Sequence, residues 1–217
     1  MGERTIGRGS IARGAQYLKA CYEQVVGERQ TGIQSGYLDH RHMEKEGSLL
    51  MKGIVCKGIN QFQTVELEEP KLTEGHAIVR IKRIGICGTD QHAYRGNQPF
   101  FTYPRVLGHE LAGTIEKIGS NQDGLQVGDQ VGIIPYLECG ECVACRAGKT
   151  NCCTNIKVMG VHTDGGMCEL LSVPIDHLIR TNDLTLDQTA VLEPFSIGAH
   201  AVRRADITPG ETVLVIG

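Results

Sequence analysis

Cys87, Thr89, Asp90 and His92 are packed into the run Gly85-Ile86-Cys87-Gly88-Thr89-Asp90-Gln91-His92, and Gly108-His109-Glu110 follows downstream. A soft thiolate from Cys87, an imidazole from His109 and a carboxylate from Glu110 are donor types that a single divalent metal collects. Donors drawn from separate turns, with one coordination position left open, build a catalytic zinc site. The Thr89 hydroxyl and the His92 imidazole are close in sequence and are groups that move protons. A lone Cys or a lone His is more often packing or a solvated surface group. A second cluster of cysteines changes the balance.

Cys139-Gly140-Glu141-Cys142-Val143-Ala144-Cys145 contains two consecutive C-x-x-C steps, and Cys153 lies just beyond. Such steps fold three sulfurs around one point, and a fourth from the far side closes a tetrahedron, so the spacing predicts a structural zinc. Cys152 is the spare, because adjacent side chains diverge. Four thiolates around Zn²⁺ leave a net charge of about −2 and no vacancy, which makes that ion a staple. One thiolate, one imidazole and one carboxylate bring the charge near zero and leave room for water or an alcohol, so only the site at Cys87 can polarise a substrate oxygen.

The elements that hold these groups follow from pattern. Residues 1–50 are rich in Gly, Arg and Gln without a sustained period, and we expect an unstructured leader or extension there. Met51 is the expected true start, with Lys45-Glu46-Gly47 compatible with a purine-rich ribosome-binding sequence; Cys21, His40 and His42 receive no function. From Met51 to Pro135 short strands are punctuated by glycine. Ala77-Ile78-Val79-Arg80-Ile81-Lys82-Arg83 alternates as a half-buried strand, and Val127 to Ile134 reads as another entered through a Gly-Asp turn. The sum is a mainly β fold with some α, a small and partly open barrel. Cys87 then follows a strand ending near Ile84, and His109-Glu110 opens one running to Ile118.

Cys56, His162 and Cys168 read as packing or filler, and His76 as a solvated turn residue. Pro174 to His177 turns into a further short strand. Thr185 with Gln188 forms a capping box that opens a helix through Leu192. Glu193-Pro194 follows, then a second helical run from Phe195 to Arg203, and the Glu193 carboxylate is a further metal-shell candidate. Thr212-Val213-Leu214-Val215-Ile216-Gly217 reads as a buried parallel strand entering a dinucleotide-binding loop, with Gly217 its first cofactor-binding glycine.

Composition excludes several classes. The 217 residues are 41% hydrophobic and 22% charged, as in an ordinary globular protein. A net charge of −3 argues against a nucleic-acid partner. No apolar run approaches the roughly 20 residues that cross a bilayer, so no membrane association is expected. Nine cysteines without a signal-peptide pattern point to a reducing, cytoplasmic setting.

With these motifs assembled, the sequence from Met51 to Gly217 resembles the N-terminal portion of the zinc-dependent medium-chain alcohol dehydrogenases, nearest their sorbitol (polyol) dehydrogenase branch. The carrying residues are Gly85 to Asp90, Gly108-His109-Glu110, the four-cysteine lobe, and Leu192-Glu193-Pro194-Phe195-Ser196-Ile197-Gly198-Ala199-His200-Ala201. The resemblance implies a GroES-like catalytic domain over residues 51–205 and the start of a truncated Rossmann domain over 206–217. It implies two zinc ions per chain, one catalytic on Cys87 and His109, with Glu110 a ligand or its close alternate and Glu193 ligating directly or through water, and one structural on Cys139, Cys142, Cys145 and Cys153. Thr89 would accept the alcohol proton, His92 would pass it to solvent, and Asp90 would orient His109. The implied reaction oxidises a secondary alcohol, a polyol or sugar acid, with hydride transfer to NAD or NADP in a longer homo-oligomeric enzyme; this chain alone is expected to be inactive. Two other readings use the same residues, a zinc hydrolase and a zinc-stapled binding module. Against the hydrolase stand the terminal strand-and-glycine pattern and the lack of an H-E-x-x-H helix.

Overall fold

The computed structural model describes residues 49–216. The expectations for residues 1–48 and for Gly217 lie outside the described residues.

Strand β1 (Leu50–Gly58) pairs antiparallel with β2 (Gln61–Glu68), and on its other edge with β4 (Arg105–Val106), giving a three-stranded sheet. A second sheet has the order β10-β6-β5-β3-β9, built from β3 (His76–Gly85), β5 (Glu110–Ile118), β6 (Gln130–Ile133), β9 (Leu170–Pro174) and β10 (Leu178–Arg180). A β-bridge between Gly53 and Cys168, and an Ile54 amide bonded to the Met167 carbonyl at 2.8 Å, tie the two sheets together. The barrel is therefore open, as the sequence predicts. A small ribbon of β7 (Tyr136–Leu137) and β8 (Lys157–Val158) carries the cysteine lobe. The helices are α1 (Gly88–Arg95), α2 (Val143–Arg146), α3 (Leu186–Ala190) and α4 (Leu192–Ala205). No described helix is long and apolar enough to cross a membrane.

The core sits on the five-stranded sheet. Ala77, Val79 and Ile81 pack there with Leu111, Ile115, Val131 and Val173. Ile78, on the opposite face of β3, is also buried, where alternation alone predicts exposure. It packs against Met51, Cys168 and Leu170, because the join between the two sheets covers that face. Cys56 and Cys168 are buried thiols, pushed up by burial to about 11 and about 12, as inert packing requires.

The Gly-Asp turn before β6 is anchored by side chains. Asp129 accepts from Asn182 Nδ2 at 2.9 Å, the Gln126 amide at 3.0 Å and Arg180 Nε at 3.0 Å. Those bonds, Asn182's foremost, pull its carboxyl below the usual range against burial. The residues between β9 and β10 place His177 between Asp176 Oδ1 at 2.9 Å, the Tyr136 carbonyl at 3.1 Å and Glu138 Oε2 at 3.2 Å. Burial works against its charged form, but Asp176, Tyr136 and Glu138 outweigh it and raise the pKa. A raised folded pKa adds stability that is complete below the unfolded value of about 6.5 and disappears as pH climbs through the folded one. The thermal midpoint of the parent should thus exceed that of His177→Gln most at about pH 6, and the gap should narrow toward pH 9. A gap constant over that range would remove charge from the explanation.

The capping box at Thr185 forms, with Gln188 N donating to Thr185 Oγ1 at 3.1 Å and Thr185 N to Gln188 Oε1 at 2.9 Å. Its helix ends at Ala190, short of the expected Leu192, and α4 begins at Leu192 rather than Phe195. Pro194 does not delay the start, because a proline in a first helical turn lacks only an N–H that would have no partner there. Glu193 consequently stands in the first turn of α4. Residues 212–216 form no strand and are exposed, contrary to expectation. A parallel strand is stable only between neighbours, and no described strand pairs with this run.

Candidate metal centre

Strand pairing brings the first donors together. β3 and β5 are antiparallel, and their register sets Gly85 opposite Glu110, so the residues just past one strand meet those at the start of the other. Cys87 leaves β3 extended (φ −78°, ψ 158°) and caps the N-terminus of α1. Asp90, 1% exposed, accepts the Cys87 amide on Oδ2 at 2.9 Å and the Gly108 amide on Oδ1 at 3.3 Å. One buried carboxylate thereby clamps both donor-bearing turns. Gly108 adopts φ 93°, open to glycine and strained for other residues, and this delivers His109 inward.

Ligand atoms of Cys87, His109 and Glu110 all lie within 4.8 Å of one another, with His109 and Glu110 buried. The His109 hydrogen bond, aided by Thr89, lowers the Cys87 thiol against the opposing effect of burial. Burial disfavours a charged His109, yet Cys87, Asp90 and Glu193 raise its pKa to about 9. Burial pushes the Glu110 carboxyl up, opposed by the charge of His109. His109 Nδ1 is buried without a hydrogen-bond partner, 3.8 Å from Asp90 Oδ1. Asp90 therefore faces the ring at ion-pair distance, and the hydrogen bonds it makes go to backbone. A buried imidazole hydrogen-bonded to an acidified thiol, with a carboxylate within 4.8 Å of both, is a donor set that fits a divalent metal of zinc type.

Gly85 belongs to the site for a steric reason. A Cβ there would collide with Glu110 Oε2 and lie 2.7 Å from Glu110 Cβ. Gly85→Ala should force Glu110 out of the cluster and destabilise the fold by about 1–3 kcal/mol, as overpacking does. Metal titration with a parallel denaturant melt would register both effects; unchanged metal affinity would show that Glu110 does not need this space.

Thr89 touches the Cys87 thiol, and His92, three residues on along α1, is exposed. Glu193 lies outside the three-residue cluster, but its charge acts on His109, Glu110 and Asp90. Tyr136, which the sequence reading passed over, donates its hydroxyl hydrogen bond to Glu193 Oε1. Burial, then the bond to Glu193 and the charges of Cys87 and Glu110, hold this phenol well above its usual range. A cavity of about 220 Å³ opens beside the pair, walled by Pro135, Tyr136, Ile179, Leu192, Glu193 and Ser196. Only its position directly before the cysteine lobe marks Tyr136 in the sequence.

The second cluster comprises Cys139, Cys142, Cys145 and Cys153, whose sulfurs also lie within 4.8 Å of one another. Cys142 and Cys145, and likewise Cys139 and Cys153, stand 3.5 Å apart, far beyond a disulfide and close to the edge of about 3.8 Å in a tetrahedron of 2.3 Å Zn–S bonds. Amides of Cys139 and Asn155 point at Cys153 Sγ, and that of Cys145 at Cys142 Sγ. The Cys145 and Thr154 amides pull the Cys142 thiol down to about 5. Cys152 is exposed and outside the cluster.

Comparison with known proteins gives the same frame. Residues 73–183 match the alcohol dehydrogenase GroES-like domain. The chain is 49% identical over 167 residues to the L-galactonate-5-dehydrogenase of Escherichia coli K12, covering 77% of this chain and 49% of that protein. It is 32% identical over 172 residues to the sorbitol dehydrogenase of Bacillus subtilis 168, with the same coverages of 77% and 49%. A crystal structure from Escherichia coli CFT073, described as a short chain alcohol dehydrogenase complexed with NADH, superposes with a TM-score of 0.70 at 37% identity, over 76% of this chain and 48% of that one. The chain thus spans about half the length of the curated relatives it matches. With its open β-barrel, its two clusters of metal-binding side chains and a family match that runs from Thr73 to Asp183, the chain belongs to the alcohol dehydrogenase GroES-like domain family.

Proposed function

We propose that this chain is the metal-binding catalytic half of a zinc-dependent dehydrogenase that oxidises a secondary alcohol of a polyol or sugar acid, with NAD or NADP as hydride acceptor. The convergence of Cys87, His109 and Glu110 on one buried point carries this reading. Its likeness to an L-galactonate-5-dehydrogenase and a sorbitol dehydrogenase supports the substrate class. A zinc ion held there, with Glu193 in or beside its shell, would supply a Lewis acid for the substrate hydroxyl. A second ion on the four cysteines would fasten the lobe.

The chain's own groups then do the following. Asp90 fixes the Cys87 and Gly108 turns, so the donors are held before substrate arrives. Thr89, in contact with Cys87, takes the hydroxyl proton, and His92 on the solvent side of α1 passes it outward. The nine cysteines support a reducing, cytoplasmic setting, and the family resemblance supports a homo-oligomer.

The test is a chimera in which this chain is joined in frame to the half of the Escherichia coli L-galactonate-5-dehydrogenase that it does not span. NAD(P)H should appear when the purified, zinc-loaded protein meets a sugar acid or polyol. Absence of reduction across a panel of both, in a folded protein with two zinc ions, would refute the assignment.

A further inference from the structure

We propose that Tyr136 is a positioning residue of the metal centre: its hydroxyl holds Glu193 by Oε1 and thereby sets how that carboxylate meets a bound zinc. This inference rests on the reading above that Glu193 stands in or beside the shell of a zinc held by Cys87, His109 and Glu110.

The case comes from what fixes each partner. Glu193 is half-buried in the first turn of α4, a helix with no buried residue, so packing alone leaves its side chain room to turn. Its side chain has three torsions, and ordering a side chain of this kind is opposed by lost rotamer entropy. Tyr136, by contrast, is on a backbone tied from several sides. Tyr136 pairs with Val158 across the β7–β8 ribbon, its carbonyl accepts from His177 Nε2 at 3.1 Å, and the preceding Pro135 carbonyl accepts the Met159 amide at 3.0 Å. The phenol therefore carries the rigidity of the sheet side to a carboxylate on the loosely packed helix. It engages Oε1 alone and leaves Oε2 for the metal or its water. As a neutral donor it leaves the carboxylate charge in place, which a lysine or arginine would cancel. Partners of this kind, hydrogen-bonded to a metal-shell group, govern both the orientation and the strength of that group.

The experiment is a cobalt(II) titration of the 217-residue chain whose four-cysteine lobe already holds zinc, read by the visible spectrum of cobalt at the Cys87 site. Tyr136→Phe keeps the ring and removes only the hydroxyl, and should weaken cobalt binding by about 10- to 100-fold and alter the band shape. Glu193→Gln alone should bring a comparable loss. In the Glu193→Gln background the Tyr136→Phe change should then have almost no further effect, because the two groups act as one unit. Unchanged or tighter binding by Tyr136→Phe would overturn the proposal. So would a full penalty that persists in the Glu193→Gln background, since that result belongs to packing. Cys87→Ala, titrated alongside, separates the two levels. If it abolishes the cobalt signal while Tyr136→Phe does nothing, only the role of Tyr136 falls. If it retains the signal, the metal assignment itself is wrong.

Discussion

Purified Cys87→Ala chain should contain one zinc ion where the parent contains two, and its metal-free form should melt within a degree or two of the metal-free parent. Cys87 is half-buried at the end of β3, outside the hydrophobic clusters, so its side chain contributes to the site more than to the core. Removing it leaves His109 and Glu110, and two donors bind zinc far more weakly than three. In the chimera the same change should lower kcat/KM by about 10³-fold or more, because several kcal/mol of metal stabilisation convert at 1.36 kcal/mol per decade. His109→Ala should behave alike. Elemental analysis together with steady-state rates checks both statements. Near-normal turnover with two zinc ions present would move the reactive centre elsewhere.

Stripping zinc from the lobe should have the opposite signature, a large local loss of order with the barrel left intact. Around the four cysteines there is almost no apolar core. Helix α2 has no buried residue, Val143 is 74% exposed, and Cys153 is the buried member of the cluster. Structural zinc contributes binding free energy on the order of 10 kcal/mol, and in a segment with this little packing that energy is the folding energy. Chelation, or Cys142→Ser, should therefore make backbone amides across residues 138–156 exchange within seconds. Amides of β3, β5 and β6, which cross the main core, should stay protected. Mass-resolved hydrogen exchange distinguishes these regions. A lobe that stayed protected without metal would mean that something other than zinc holds it.

How much of this was legible in the chain varies with the range of the interaction. The cysteine lobe is a local device: four sulfurs within one short segment need only spacing to be recognised, and the structure gathers those four and leaves Cys152 aside. The capping box at Thr185 is local in the same sense. Cys87, His109 and Glu110 could be nominated by residue type, but their approach depends on the β3–β5 register, which places Gly85 against Glu110. Pattern reading went astray where neighbours decide the outcome. Ile78 is buried because a second sheet covers it, and residues 212–216 form no strand because no described partner pairs with them.

The sequence by itself determined the chemistry on offer, two sets of donors whose types suit zinc, one closed and one open, and it determined the mainly β class through its alternating strands. The tertiary structure alone decided which oxygen and nitrogen atoms face each other. It put Asp90 on the amides of Cys87 and Gly108, left His109 Nδ1 unpartnered, and joined Tyr136 to Glu193 across 57 residues of chain. The reason is physical. Donor chemistry is a property of single side chains, whereas hydrogen-bond geometry is fixed by how strands and helices distant in sequence pack together.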